Sequence, residues 1–189
     1  SMDDEELFGP VFHQLNFSDA IELKLLSDYQ VVVIGIDDET CREYLAEGRR
    51  VSVADGEVET DANTLAAHVA VAKAMKRYDL SRIISFHSRV KKADKFSENF
   101  PKVVAWMPED FQPSGTLWTS HVSGKMSTGK RDELLDRFRE LEDDERGLMS
   151  NARCLSEGVD VPSLDGVAFV DPRKSQVDIV QAVGRAIRK

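Results

Sequence analysis

The sequence predicts an α/β fold, a three-layer α/β/α sandwich in which helices cover both faces of a mainly parallel sheet. Segments typical of strands and of helices alternate along the whole 189-residue chain, which is the order that parallel βαβ units require. The predicted strand YQVVVIGI (29–36) is a continuous run of β-branched residues, and RIISFHS (82–88) is predicted to be the next buried strand. Such runs are typical of strands that are buried on both faces.

The amino-terminal part of the chain is predicted to form helices around the first strand. Ser18 is a suitable N-cap for a helix over 18–27, and Gly48 is a suitable end for a short helix over 38–48. The sequence pattern of residues 49–60 is weak, and it predicts an edge strand with a turn. The apolar period of residues 61–78 predicts a long amphipathic helix.

The remaining elements continue the alternation. A helix is predicted after the strand at 82–88, from about Val90 to Phe100, and it is followed by an irregular stretch that contains Pro101, Pro108 and Pro113. The later elements are a strand at 115–123, a helix at 127–145, short strands at 147–152 and 166–172, and a last helix at 175–189. Functional loops are expected at the carboxyl ends of the strands.

Composition indicates a soluble globular protein. Hydrophobic residues make up 41% of the chain and charged residues 31%, and no apolar run is long enough to cross a bilayer. The acidic start lacks the features of a secretory signal, so no membrane partner and a cytoplasmic location are expected. Cys41 and Cys154 are far apart, which gives neither a disulfide framework nor a zinc spacing, and no metal ligands are predicted.

The charge distribution is uneven. The net charge of −9 argues against binding to a polyanion. However, residues 82–95 hold 5 basic and 1 acidic side chains, and residues 173–189 repeat that ratio, whereas residues 1–61 hold 16 acidic and 4 basic side chains. The two basic segments are either solvated helix faces or surfaces that face phosphate groups.

The segment GKMSTGKR (124–131) has the G-x-x-x-x-G-K spacing of a phosphate-binding loop. That motif ends in Ser or Thr, whose hydroxyl ligates Mg²⁺, but Arg131 takes this place here, and an arginine cannot coordinate a cation. A small nucleotide-binding protein with this loop therefore remains as the weakest alternative.

The last predicted helix carries a donor array. Val180, Val183 and Ile187 form an apolar stripe. Another face of the helix carries Asp178, Gln181, Arg185 and Arg188. Two guanidinium groups about one turn apart are suited to phosphate oxygens. An ordinary amphipathic helix with a wet basic face would show the same pattern.

A loop upstream adds a second motif. In SNARCLSEGVDVP (150–162), Glu157, Gly158 and Asp160 are predicted to lie on a loop between two strands. The Asp160 carboxylate can accept hydrogen bonds from sugar hydroxyls there, or it can form a turn before Pro162.

Together these motifs resemble the second, carboxyl-terminal RecA-like domain of superfamily-two helicases of the DEAD/DEAH type. SNARCLSEGVDVP resembles their motif V, and QAVGRAIRK (181–189) resembles motif VI. RIISFHSRVKKADKF (82–96) is similar to motif IV, and HVSGKMSTGKRDELLDRF (121–138) is similar to the segment called IVa. Among subfamilies, the chain looks closest to helicases of bacterial restriction and phage-defence systems, or to those with appended helicase-associated domains.

The resemblance implies a RecA-like three-layer sandwich over residues 16–189, with residues 1–15 as an interdomain linker or extension. It also implies that the chain is a fragment of a larger, ATP-dependent helicase and is inactive alone. ATP and Mg²⁺ would be held mainly by a first RecA-like domain of the same polypeptide. In this chain, Arg185 and Arg188 would reach the γ-phosphate, with Arg188 as the arginine finger.

Further roles follow from the same resemblance. Gln181 would align the water or the γ-phosphate, and Asp160 would hold the ribose in a loop with Gly158 and Glu157. A strand of DNA or RNA would be held by its phosphates and sugars, without reading of its sequence. The residues that would contact this strand are Ser88, Arg89, Ser123, Gly124, Asn151 and Arg153. His87 and His121 lie at strand ends and are expected to be structural or to contact the strand.

A second function class stays open at this point. A RecA-like domain can also serve as a non-catalytic module that binds nucleic acid or a protein and hydrolyses nothing. A complete phosphate-binding loop upstream in the same polypeptide would distinguish the helicase from this module.

Overall fold

A computed structural model of the chain describes residues 9–10, 15–32, 50–53, 55–56, 58–152, 164–171, 179 and 183–184. The elements in these ranges are, in chain order, α1 (Phe17–Glu22), β1 (Arg50–Val53), β2 (Val58–Asp61), α2 (Ala62–Tyr78), β3 (Arg82–Phe86), α3 (Val90–Trp106), a 3₁₀ turn (Glu109–Phe111), β4 (Thr116–Ser123), α4 (Thr128–Arg139), β5 (Glu145–Ala152) and β6 (Gly166–Phe169).

Four of the described strands form the central sheet, in the order β4-β5-β3-β6. Every neighbouring pair in this sheet is parallel, and α2, α3 and α4 pack on the strands that they connect. The predicted parallel sheet with helices on both faces is therefore confirmed. β1 and β2 form a separate antiparallel hairpin, which corresponds to the edge strand and turn expected in 49–60.

Alternate residues of the central strands feed two apolar clusters. On one face, Ile83 and Leu148 pack with Phe96 and Phe100 of α3 and with residues of α2. On the other face, Ile84 and Met149 pack with residues of α4, among them Phe138. Because successive side chains of a strand point to opposite faces, the adjacent pairs Ile83–Ile84 of β3 and Leu148–Met149 of β5 contribute to both clusters.

His68 joins α2 to α3 inside the first cluster. Its ring is fully buried and stacks on Phe96 with a centroid distance of 3.9 Å. Nδ1 lies 2.8 Å from the carbonyl oxygen of Thr64, and Nε2 lies 3.1 Å from that of Phe96. Burial lowers the pKa of His68, although both carbonyl contacts oppose this shift. The ring packs between the two helices and contacts a backbone carbonyl of each.

The carboxyl end of α4 is held by an arginine from the sheet. The guanidinium of Arg82, at the start of β3, donates to the carbonyl oxygens of Phe138, Arg139 and Leu141 at 3.1–3.2 Å. The last carbonyls of a helix have no partner within the helix, so Arg82 satisfies groups that would otherwise need water. This contact fixes α4 relative to the central strand.

Three helices differ in their bounds from the sequence-based expectation. α4 ends at Arg139 rather than at residue 145, because residue 145 begins β5. α1 begins after Asn16 rather than Ser18, and it ends at Glu22. α3 continues through Pro101 to Trp106, although an interior proline costs a helix about 3 kcal/mol. Phe100, Val103 and Val104 are buried on both sides of the proline, and burial of large apolar side chains contributes about 1.5–3 kcal/mol each. This packing offsets the cost.

Residues 29–32 are not part of a strand in the structure, although 29–36 was predicted to be one. The rest of that segment and the predicted helix at 38–48 lie outside the described residues.

Gly147 allows α4 to approach β5 closely. A Cβ atom at Gly147 would lie 2.4 Å from Cδ1 of Leu141 and 2.7 Å from Cε2 of Phe138. We therefore expect Gly147→Ala to lower the free energy of unfolding by about 1–3 kcal/mol, as overpacking of a core typically does. Urea unfolding of the chain measures this change.

Gly129 provides the matched control, because a Cβ atom there would meet nothing within 4 Å. Gly129→Ala should leave stability unchanged or raise it by about 0.5–1 kcal/mol, since alanine is the better helix former. If Gly147→Ala and the wild type unfold at the same urea concentration, the close packing at Gly147 is contradicted.

Candidate functional site

The carboxyl ends of the four parallel strands meet at one edge of the sheet. Phe86 at the end of β3 lies opposite Asn151 of β5 and Phe169 of β6, and Ser123 at the end of β4 lies opposite Ala152. α3 and α4 both begin just beyond this edge, one on each face of the sheet. A helix amino terminus carries a partial positive charge and unpaired N–H groups, so this edge presents two such ends.

Five of the six residues that were predicted to contact a nucleic-acid strand lie at this edge. Ser88, Arg89 and Gly124 are exposed there. By contrast, Ser123 is 2% exposed and Asn151 is fully buried, so these two side chains lie below the surface. The structure thus brings these five predicted residues together, with three of them exposed and two of them buried beneath the surface. Arg153 lies outside the described residues.

Gly124 follows β4 directly and adds no side chain to the surface. A Cβ atom at this position would meet nothing within 4 Å, so the fold itself does not require glycine here. The backbone of this turn is open to the close approach of another molecule.

Basic side chains surround both helix starts. Exposed cations occur around the first turns of α3 and α4: Arg89, Lys91, Lys92, Lys95, Lys125 and Lys130. The nearby acidic groups neutralise some of them, because Lys92 pairs with Asp171 at 2.6 Å and Lys130 pairs with Glu133 at 3.1 Å. Residues 88–95, 124–133 and 171 hold seven basic and four acidic side chains, so the described part of this edge is cationic although the whole chain has a net charge of −9.

Asp171, just after β6, organises the start of α3. Its Oδ2 accepts hydrogen bonds from the backbone N–H and the hydroxyl of Ser88, both at 2.8 Å, while its Oδ1 accepts from Lys92. Burial alone would raise the pKa of Asp171, but the bonds from Lys92 and Ser88 outweigh it and lower the pKa to about 2. The sequence motifs did not indicate this residue, because its partners are distant along the chain.

A buried polar layer lies beneath the same edge. Ser85 and Ser150 are opposite each other on β3 and β5, and the Ser85 hydroxyl donates to that of Ser150 at 3.0 Å. Nε2 of His87 lies 3.0 Å from the Ser85 oxygen, and its ring is 1% exposed. His87 therefore has a structural position. His121 is less buried, with Nδ1 3.1 Å from Oδ1 of Asp94 on α3.

The segment GKMSTGKR forms a turn and a capped helix start. β4 ends at Ser123, and the Ser127 hydroxyl caps α4 by accepting from the N–H of Lys130 at 3.4 Å. Gly129 and Lys130 thus lie within the helix, and both the amide and the ammonium of Lys130 already have partners. A phosphate-binding loop also runs into a helix start, so Arg131, in the place of the Mg²⁺-ligating hydroxyl, is what argues against a nucleotide site here.

The residues predicted for the nucleotide lie outside the described part of the chain. They are Glu157, Gly158, Asp160, Gln181, Arg185 and Arg188. Among the neighbouring described residues, Val183 and Gly184 are helical, in keeping with the helix predicted at 175–189.

The described residues include neither a cluster of metal ligands nor a membrane-spanning helix. No three of their His, Cys, Asp and Glu side chains are grouped so that they could hold a metal ion. None of the helices in this part of the chain is both long enough and apolar enough to cross a membrane.

Comparison with known proteins gives one family and several structural likenesses. The model of the family "Helicase conserved C-terminal domain" matches residues 67–189, whereas no curated protein matches the sequence. The ATP-dependent Type ISP restriction-modification enzyme LlaBIII bound to DNA is similar over 100% of this chain, with 34% identity and a TM-score of 0.81. This chain spans 13% of the length of that enzyme.

More distant likenesses have lower scores. The C-terminal domain of the DEAD-box protein Dbp5 matches 67% of this chain with 64% of its own length, at 18% identity and a TM-score of 0.49. The Hef helicase domain of Pyrococcus furiosus matches 69% of this chain with 24% of its own length, at 23% identity and a TM-score of 0.41.

The pKa of Asp171 predicts a specific pH dependence. Its carboxyl has a pKa of about 2 in the fold, against an ordinary value of 3.8. Its contribution to stability is therefore fully present above pH 3.8 and is lost as the pH falls towards 2. We expect the difference in unfolding free energy between the wild type and Asp171→Asn, on the order of 1 kcal/mol, to shrink over this interval. Urea unfolding at several pH values measures it, and a difference that is constant from pH 6 to about 2 would contradict the assignment.

Proposed function

The chain belongs to the family of helicase conserved C-terminal domains, and we propose that it is the second motor domain of an ATP-dependent helicase or translocase that acts on DNA. The expected RecA-like fold and the resemblance to the second domain of superfamily-two helicases are confirmed. The proposal adds the activity, the nucleic acid and the roles of individual residues.

The observation that carries the proposal is the cationic edge with two helix amino termini. A nucleic-acid backbone is a row of phosphates, and helix starts and basic side chains are the groups that bind phosphate. Arg89 and the open backbone at Gly124, which follow β3 and β4, are the proposed contacts, and Ser88 lies beside Arg89. Ser123 and Asn151 are proposed to support this surface from below, and Arg153 to extend it.

DNA is the proposed substrate, because the relative with 34% identity is described as bound to DNA. RNA has the same backbone chemistry, so the test below includes both. By the same likeness we propose that the full protein is a cytoplasmic restriction or phage-defence enzyme of the DEAD/DEAH type.

The proposed ATP site lies between this domain and a first RecA-like domain of the same polypeptide, which would hold the phosphates and Mg²⁺. Bound ATP would supply a γ-phosphate whose transfer develops charge, and Arg185 and Arg188 are the proposed donors to that charge. Gln181 would orient the attacking water. Asp160, in a loop with Gly158 and Glu157, would accept hydrogen bonds from the ribose.

Loss of Arg188 tests the proposed motor function directly. In the full-length protein, we expect DNA-stimulated ATP hydrolysis, and we expect Arg188→Ala to lower its kcat by about a hundredfold or more, because an arginine finger stabilises the transition state. Lys189→Ala, one residue further along, is the matched control and should hydrolyse ATP like the wild type. Steady-state hydrolysis with and without duplex DNA or RNA measures these rates.

Two results would count against the motor assignment. If the wild type hydrolyses no ATP with either nucleic acid, the domain is a binding module. If Arg188→Ala is as fast as the wild type, motif VI does not reach the reacting phosphate.

A second prediction concerns Arg89. If its guanidinium contacts a phosphate, Arg89→Ala weakens DNA binding similarly for all sequences and lowers the slope of log affinity against log salt by about 1. Lys76, exposed near the end of α2 at the opposite edge of the sheet, is the control, and Lys76→Ala should keep the wild-type slope. Equal slopes for the wild type and Arg89→Ala would remove Arg89 from the interface.

A further inference from the structure

The outer face of α3 carries a line of lysines. The face of this helix that packs on the core consists of Ala93, Phe96, Ser97, Phe100, Val103 and Val104. At 3.6 residues per turn, the positions directly opposite that face are Lys91, Lys95, Glu98 and Lys102. Lys91 and Lys95 are exposed, and Lys102 is half-buried. We call these three lysines the lysine line.

The lysine line is not neutralised by the part of the chain that the structure describes. None of its three ammonium groups forms a salt bridge with a described carboxylate. The neighbouring Lys92 differs, because it belongs to the clamp that Asp171 forms with Ser88 at the start of α3. The lysine line therefore keeps its charge available for a ligand.

The stability of α3 itself does not account for these charges. Lys91 and Lys95 are four residues apart, and like charges at this spacing destabilise a helix by about 0.2–0.5 kcal/mol. The first turn of α3 contains lysine but no acidic residue, and its last turn contains no basic residue, which is the reverse of what the helix dipole favours. By contrast, α2 and α4 both have basic residues in their last turns. An anion bound along α3 would relieve both unfavourable terms.

The lysine line continues the cationic edge along the side of the domain. Its first member, Lys91, lies two residues after Arg89, and α3 leads away from the edge towards Lys102. At 1.5 Å per residue, Lys91 and Lys102 are roughly 16 Å apart along the helix axis. This is the length of roughly five base pairs, since each strand of DNA has one phosphate per about 3.4 Å of its axis.

We propose that the lysine line is a second DNA-binding surface, which holds the backbone of the same DNA for about five base pairs beyond the edge. The proposal rests on the function proposed above and extends its interface. A lysine ammonium is a compact charge on a flexible stem, so this surface binds phosphates without reading the bases and allows the DNA to slide.

The test uses the full-length protein with Lys91→Ala and Lys95→Ala combined. Binding is measured at several salt concentrations for DNA duplexes from about 10 to about 30 base pairs long. On the long duplexes, we expect the double variant to bind about tenfold more weakly and the slope of log affinity against log salt to fall by about 2, because two phosphate contacts are lost. On duplexes too short to leave the edge, it should bind like the wild type.

A second double variant controls for the change in net charge. Lys76→Ala combined with Arg77→Ala removes the same charge from exposed positions at the far end of α2, and it should bind duplexes of every length like the wild type. Lys91→Arg combined with Lys95→Arg keeps the charge and should keep the wild-type slope.

The melting temperature separates a DNA contact from a structural role. Loss of Lys91 and Lys95 should leave the melting temperature unchanged or raise it, because the repulsion between them is removed and alanine is a good helix former. A lowered melting temperature would mean that the lysine line packs against protein, and the proposal would then be wrong.

The remaining outcomes each overturn the inference or its premise. If the double variant of α3 binds every duplex like the wild type while Arg89→Ala binds more weakly, the lysine line is a solvated face and the proposed function stands. If the double variant of α3 loses the same affinity at every length, or if the control of α2 loses as much, the lysines act through the general field and not as a second surface. A wild type that binds no DNA overturns the proposed function, and this inference with it.

Discussion

Two carboxylates, one before and one after β6 in the sequence, hold the central strand β3 at its two ends. The rest of the structure depends on these contacts. Asp165 accepts hydrogen bonds from the backbone N–H groups of Ser81 and Arg82, and Asp171 accepts them from the backbone N–H and the hydroxyl of Ser88 at the other end. Arg82 in turn holds the last carbonyls of α4, and Ser88 leads into α3. The helices on the two faces of the sheet are therefore positioned through one strand. Each clamp uses a charged acceptor, and such hydrogen bonds are stronger than neutral ones.

The candidate site follows from this scaffold and from the parallel direction of the strands. Parallel strands bring their carboxyl ends to one edge, and the helices that follow them must begin there. The edge thus has a cationic surface around Arg89 and Gly124, above a buried polar layer of Ser85, His87 and Ser150. Because each buried hydroxyl in this layer has a protein partner, the layer is rigid and supports the surface without competing for ligands.

The periodic parts of the sequence were sufficient to predict the parallel central sheet, α2 and the edge at which the predicted contact residues meet. Local patterns failed where through-space contacts decide the outcome. The helix α3 passes Pro101 because buried neighbours offset the local cost, and Ser123 and Asn151 lie below the surface because the neighbouring strands and helices cover them. Asp171 and Arg82 could not be recognised as clamps from sequence, since a single carboxylate or guanidinium has no periodic signature. The assignments at Asp160, Gln181, Arg185 and Arg188 remain predictions.

The position of β3 in the sheet has a consequence for biosynthesis. Ser85 meets Ser150 across 65 residues of chain, and Ser88 meets Asp171 across 83, so the strand emerges from the ribosome well before either neighbour. Until then, Ile83, Ile84 and Phe86 are an unpaired apolar edge, the kind of segment that associates with other chains. Sheets with such distant pairings fold slowly. Productive folding of this domain is therefore decided late in synthesis, when the segment from β5 to Asp171 becomes available to close over the strand.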